Sequence, residues 1–319
     1  MKGVWLEQGR VALRDDLARP ERAPGQALIR VTMVGICGTD MAMLRGYADY
    51  QGVPGHEFVG VVEAADDHAW IGARVVGVIN ITCGRCDPCL RGDHAHCRFR
   101  RVLGIRDWSG AMAEYLVLPE INLLRVPEEV ADLQAVFAEP LAATLEVLAH
   151  HHVRPTQRVA VVGDGRLGQL MAQTLRLTGA ETVLIGRHQE KLDLARRVGL
   201  KTAQARDLST VDAVWDLVVE CSGAVGGFQL ARRLVRPRGT LVLKSALTEP
   251  PPLDLTALMI EEVTLAGSRC GPMAPALRLL ATKAVHVLPL VASVYSLDKA
   301  EEAFEHAGRK GVIKVLIRP

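Results

Sequence analysis

Four of the seven cysteines, Cys83, Cys86, Cys89 and Cys97, fall within fifteen residues of a 319-residue chain. The spacing Cys-x2-Cys-x2-Cys-x7-Cys lets four thiolates wrap one tetrahedral zinc, and Gly84, Pro88 and Gly92 allow the tight turns this requires. Four sulfurs leave no open position, so the loop reads as a structural zinc site. Four free thiols or an iron–sulfur cluster are the alternatives, the spacing being less usual for a cluster.

A sparser set lies upstream. Cys37 sits in Gly35-Ile-Cys-Gly-Thr-Asp40, and His56 with Glu57 in Gly52-Val-Pro-Gly-His-Glu-Phe58. Cysteine, histidine and carboxylate are the ligand types of an open zinc site, where substrate takes the fourth position. The competing reading makes Cys37 a small buried hydrophobe and His56 a satisfied loop histidine. Both stay open on the residues alone.

The third set is Gly163-Asp-Gly-Arg-Leu-Gly168, a GxGxxG that follows the apolar run Val159–Val162 and opens a helix. Gly163 permits the turn, Gly165 admits a pyrophosphate to the backbone, and Gly168 lets helix and strand pack closely. Arg166 and Leu167 lie at the N-terminus of that helix, where negative charge is favoured. An ordinary tight βα turn is the bland alternative.

The elements that must hold these residues change character along the chain. Up to about residue 125 short β-branched runs alternate with Gly, Pro and Asp, which predicts an irregular, largely antiparallel β domain. From about 132 the pattern becomes helical (134–151), then strand (159–162), helix (167–177), strand (182–185), helix (189–198), strand (217–220), helix (228–235) and strand (240–243). That alternation predicts βαβ units and a parallel sheet. A helix near 274–282 and a strand over 311–317 close the chain.

Apolar residues make up 49% and charged residues 23%, which excludes general disorder. A formal charge of +2 gives no electrostatic reason to expect nucleic acid or an anionic membrane as partner. No apolar run reaches the roughly 18 residues of a membrane span, and the opening residues lack a signal-peptide core, so a cytoplasmic protein is expected.

Together the motifs resemble the zinc-dependent alcohol dehydrogenases of the medium-chain dehydrogenase/reductase superfamily. The landmarks are Cys37-Gly-Thr-Asp40, Gly55-His-Glu57, the loop 83–97, Gly110-Ala-Met-Ala-Glu-Tyr115, Ala138-Glu-Pro-Leu-Ala142, the glycine motif and Val219-Glu-Cys-Ser-Gly223, in the family's order along essentially the whole chain. The resemblance implies an α/β chain: a GroES-like catalytic domain over 1–142, a Rossmann doubly wound domain over 143–282, and a return segment over 283–319. It implies two zincs per chain, one structural and one catalytic, the latter held by Cys37 and His56 with Glu57 as ligand or near neighbour. Glu139 falls where many relatives place another ligand, in a Glu-Pro-Leu context similar to the polyol, sugar and threonine dehydrogenase branches. Thr39 matches the hydroxyl residue that contacts the reacting oxygen, and Glu57 is a candidate general base. The family's histidine relay is absent, its place being taken by Ala42. A homodimer or homotetramer is expected.

At the end of the second Rossmann strand, where NAD sites carry an acid, the chain has Gly186 followed by Arg187. Loss of the carboxylate, with Arg187 and Lys191 at hand, predicts NADP(H) in preference to NAD(H). The short segment between Cys37 and His56 should reshape the cleft, with Met41, Leu44, Tyr47 and Trp108 as candidate walls and Arg269 near the nicotinamide. The expected substrate is a secondary alcohol, polyol or sugar, or the matching carbonyl. A zinc-independent quinone or enoyl reductase and a non-enzymatic nucleotide-binding protein are the alternatives.

Overall fold

In the computed structural model, residues 1–208, 213–247 and 249–319 are described. The chain divides into two units: 1–139 with 276–282 and 291–319, and 140–275 with 283–290.

The first unit is built on a seven-stranded sheet. Its central strand, Gln26–Gly35, pairs antiparallel with Glu57–Ala64 on one side and with Lys314–Arg318 and Tyr115–Pro119 on the other. Arg74–Gly77, Leu123–Arg125 and Val291–Ser296 complete it, the last lying parallel to Lys314–Arg318. The expected β domain is present, and the C-terminal strand lies within its sheet, between Val291–Ser296 and Gln26–Gly35. Alternation buries Ala27, Ile29, Val31 and Met33 along one strand.

The second unit holds six parallel strands in the order Lys201–Gln204, Glu181–Gly186, Arg158–Val162, Trp215–Glu220, Val235–Leu243, Thr264–Gly267. Counted along the chain this is 3-2-1-4-5-6, the doubly wound order of dinucleotide-binding folds. Both faces of the sheet are apolar. Val159, Val161, Leu184, Leu217 and Val219 pack with Met171, Leu175 and Leu192, while Ala160, Val162, Ile185 and Val218 pack with Phe228, Ala231 and Leu234.

Two expectations are corrected. The helix over 134–151 is two helices, Asp132–Ala135 and Ala138–His150, because Pro140 lacks an N–H and belongs in the first turn of a new helix. The strand over 240–243 starts at Val235, since Pro237–Gly239 are absorbed in a bulge where the pairing shifts from Trp215↔Val235 to Leu217↔Thr240. No helix among the described residues is long and apolar enough to cross a membrane.

Candidate metal centre and dinucleotide turn

Register explains how Cys37 and His56 meet. Gly35 pairs with Glu57 at the adjoining ends of two antiparallel strands, so residues just beyond one strand and just before the other are neighbours. Gly55 has φ +96°, and a side chain there would strike Met112, so glycine brings His56 into line. The ligand atoms of Cys37, His56 and Glu57 lie within 4.8 Å of one another, His56 and Glu57 being buried.

Asp40 organises this centre. Cys37 caps the short helix Gly38–Met43, and the Cys37 backbone N–H donates to Asp40 Oδ2 at 2.7 Å. Asp40 Oδ1 lies 3.6 Å from His56 Nδ1. With Nδ1 turned towards Asp40, Nε2 is the ring nitrogen available to a metal, an arrangement in which the carboxylate orients the ligand. Burial raises the Asp40 pKa to about 6 against the opposing pull of His56. Burial alone would lower that of His56, but Cys37, Asp40 and Glu139 raise it to about 9. Asp40 Oδ1, His56 Nδ1 and Glu57 Oε1 are buried without hydrogen-bond partners. Anionic surroundings, orphaned polar atoms and a sulfur–nitrogen–oxygen donor set together fit a divalent zinc.

Glu57 is not free to act alone. Lys314, fully buried on the C-terminal strand, forms an ion pair with its carboxylate and donates to the Ile36 carbonyl at 3.2 Å. A methyl group at Gly35 would run into both members of the pair, so that glycine leaves room for them. Burial pulls the Lys314 pKa down to about 8, with Cys37 and Asp40 pulling the other way. Glu139, second residue of helix Ala138–His150, acts on His56 through its charge but stands outside the convergent group of three. The half-buried Thr39 hydroxyl lies 3.8 Å from Cys37 Sγ. Met41, Ala42 and Leu44 are half-buried and Tyr47 is exposed. Trp108 donates its indole N–H to the Val117 carbonyl, with the Arg101 guanidinium on its ring. In the second unit, Arg269 is exposed.

The cysteine loop is closed at its base by pairing of Asn80–Ile81 with Arg101–Val102. Gly84 and Gly92 take φ of +70° and +80°, and Pro88 lies in the first turn of helix Asp87–Leu90. All four sulfurs lie within 4.8 Å of one another, with Cys86 Sγ 3.5 Å from Cys89 Sγ and 3.8 Å from Cys97 Sγ. Sulfurs on a regular tetrahedron about 2.3 Å from zinc would be about 3.8 Å apart, so the set fits that ion. Backbone N–H groups of Cys89 and Arg98 pull Cys86 down to about 6, favouring thiolate. Among the described residues, no cysteine is in a disulfide.

In the second unit strand Arg158–Val162 runs into Gly163, whose φ is +121° and whose missing side chain would collide with the Cys221–Ser222 backbone. Gly168 packs on the Gly163 carbonyl, and Gly165 faces open space within 4 Å, as close approach of a ligand needs. Arg166 and Leu167 begin helix Arg166–Arg176. Gly186 ends the second strand; Arg187 beyond it is exposed, and Lys191 is half-buried with its carbonyl accepting from Gln169 Nε2 at 2.7 Å.

Sequence reasoning named neither Asp40, Lys314 nor His188 as functional. Asp40 stands in the Cys37 motif at the third helical position, a spacing that folds a carboxylate back on the cap. The one signal for Lys314 was a lysine within the apolar run Gly311–Ile317.

Comparison with known proteins follows the same division. Residues 23–128 match the alcohol dehydrogenase GroES-like domain family, and residues 167–282 the zinc-binding dehydrogenase family. A sorbitol dehydrogenase of Halalkalibacterium halodurans is 31% identical, the match covering 94% of each chain. A zinc-binding dehydrogenase from Sinorhizobium meliloti 1021, solved bound to NADP, is 31% identical with a TM-score of 0.91, covering 100% of this chain and 99% of its own. An alcohol dehydrogenase from Escherichia coli CFT073 complexed with NADH is 25% identical with a TM-score of 0.89, over the same shares. Likeness of this extent, at nearly full length of the relatives, shows that the chain belongs to the zinc-dependent alcohol dehydrogenase family of the medium-chain dehydrogenase/reductase superfamily.

Proposed function

We propose that the protein interconverts a secondary alcohol of a polyol or sugar and its ketone, with NADP(H) preferred to NAD(H). The convergence of Cys37, His56 and Glu57 carries this reading, because it assembles an open metal-ligand set beside a hydroxyl residue. The sorbitol dehydrogenase relative supports the substrate class, and the NADP-bound neighbour the cofactor.

Cys37 and His56 would hold a catalytic zinc, with a carboxylate from Glu57 or Glu139, and Cys83, Cys86, Cys89 and Cys97 a structural one. When bound, zinc supplies a Lewis acid to the reacting oxygen, and the nicotinamide accepts or donates the hydride. Asp40 orients the His56 ring, and Lys314 holds Glu57. Thr39 would relay the proton, accepting that of the substrate hydroxyl as it gives up its own. Ala42 carries no proton-transferring group, so the proton leaves Thr39 by the cofactor ribose and water or by another residue.

In the second unit, the exposed Leu255, Met259 and Ile260 of helix Leu255–Ile260 stand next to the outermost strand Thr264–Gly267 in sequence. An apolar surface with an uncovered strand edge supports assembly into a homodimer or homotetramer. Arg187→Asp should reverse the cofactor preference.

The test is a panel of polyols, sugars and simple secondary alcohols with NADP or NAD, followed by nicotinamide absorbance. Substrate-dependent reduction, faster with NADP and lost in His56→Ala, is expected. Nucleotide binding with no turnover on any alcohol or ketone would overturn the proposal in favour of a binding protein.

A further inference from the structure

The glycine turn carries an aspartate that cofactor binding as described does not use. Asp164, between Gly163 and Gly165, is buried, and its carboxylate crosses to the end of the neighbouring strand Glu181–Gly186. Asp164 Oδ2 accepts the backbone N–H groups of Arg187 and His188, each at 2.7 Å. The same carboxylate meets His188 Nδ1, 3.0 Å from Oδ1. Burial would raise the Asp164 pKa, but the His188 and Arg187 donors outweigh it and hold the group below its ordinary value.

Gly186 shows what this arrangement excludes. A Cβ there would collide with the Asp164 carboxylate. An acidic side chain at the end of the second strand, the usual partner of the adenosine ribose hydroxyls, cannot coexist with Asp164 in this position. The carboxylate that is present spends its acceptor capacity inward, on two backbone donors and a ring. Beyond it stand Arg187 and the His188 ring. The exposed Arg187 has no ion pair among the described residues, and His188, with Nδ1 engaged, turns its other ring nitrogen away from Asp164.

We propose that Asp164 and His188 are the positioning pair that sets discrimination at the cofactor's 2′ position, by fixing Arg187 to receive a 2′-phosphate. This rests on the NADP(H) preference proposed above. Asp164 blocks the NAD-type carboxylate sterically and ties down the backbone from which Arg187 projects, with the His188 ring packed on the same carboxylate. A bidentate guanidinium benefits most from such ordering, because its planar fork must meet the phosphate in one orientation.

Equilibrium binding of NADP and of NAD to the wild type, Asp164→Asn and His188→Ala tests this, with circular dichroism confirming the fold. The quantity read is the ratio of the two dissociation constants. One charge-assisted hydrogen bond lost or misaimed corresponds to roughly tenfold, so Asp164→Asn should reduce the preference for NADP by about that factor. His188→Ala leaves Asp164 and its backbone bonds in place, and should reduce the preference about threefold as a weaker contact is lost. A purely structural role for the pair would weaken both nucleotides equally and leave the ratio unchanged, which overturns the inference. A rise in relative NADP affinity on Asp164→Asn would show that the carboxylate repels the phosphate, and also overturns it. The wild-type ratio separately tests the cofactor reading: a value favouring NAD refutes that reading, whereas the change between proteins decides the role of the pair. Absence of measurable NADP binding in the wild type overturns both.

Discussion

The cysteine loop and the Cys37 centre share cysteine as a ligand type but are assembled in opposite ways. Every sulfur of the loop comes from one fifteen-residue excursion, pinned by a two-residue strand pair at its base. The Cys37 centre takes Cys37 and His56 from adjoining strand ends, and the partner of Glu57 from a strand 278 residues beyond Ile36. Its charges are mixed and buried: Asp40, His56, Glu57 and Lys314 lie together with little access to water. A locally built, all-thiolate site is saturated by its metal and can only order the chain around it. A site assembled from distant strands holds its donors in a charged, partly unsatisfied state, which is where substrate chemistry can be done.

Damage at the two places should therefore read out differently. The largest effect belongs to His56→Ala, which should lower turnover by about a thousandfold or more, since a Lewis acid contributes several kcal/mol to the transition state, and should also cost stability because buried Asp40 loses its partner. Steady-state kinetics beside a melting curve would show both. Lys314→Met comes next, because it leaves the Glu57 carboxylate buried and uncompensated. Loss of about 3–5 kcal/mol in denaturant unfolding is expected, with most of it recovered by adding Glu57→Gln. A third change sharpens the role of Asp40: Asp40→Asn retains a backbone acceptor but weakens orientation of His56. Metal affinity, read by competition with a chelator, should drop 10- to 100-fold or about that. Smallest for catalysis is Cys97→Ser, which should open residues 83–97 to proteolysis while changing kcat/KM by less than about tenfold, the loop acting through local order.

The same contrast explains what could be read from the sequence. The cysteine loop, the glycine turn and the inner strands of the parallel sheet are local patterns, and spacing or an apolar run marked each of them. Cys37 and His56 were legible as ligand types beside turns, but only the pairing of Gly35 with Glu57 shows why they meet. Lys314 and Glu57 are joined by tertiary packing across most of the chain, and Asp164 and His188 across a strand–helix–strand unit. No periodicity encodes such contacts. The helix break before Pro140 and the bulge at Pro237–Gly239 were missed for another reason: an apolar pattern continues through both, while a missing N–H or a turn residue decides the backbone.

Zinc per chain, by elemental analysis of protein purified without chelator, tests the division between the two sites most directly when wild type is compared with Cys37→Ser. The account predicts close to two zincs in the wild type and close to one in the variant, the remaining ion being held by Cys83, Cys86, Cys89 and Cys97. Close to one zinc in both proteins, unchanged when zinc is added back, would contradict it, for the Cys37 centre would then hold no metal.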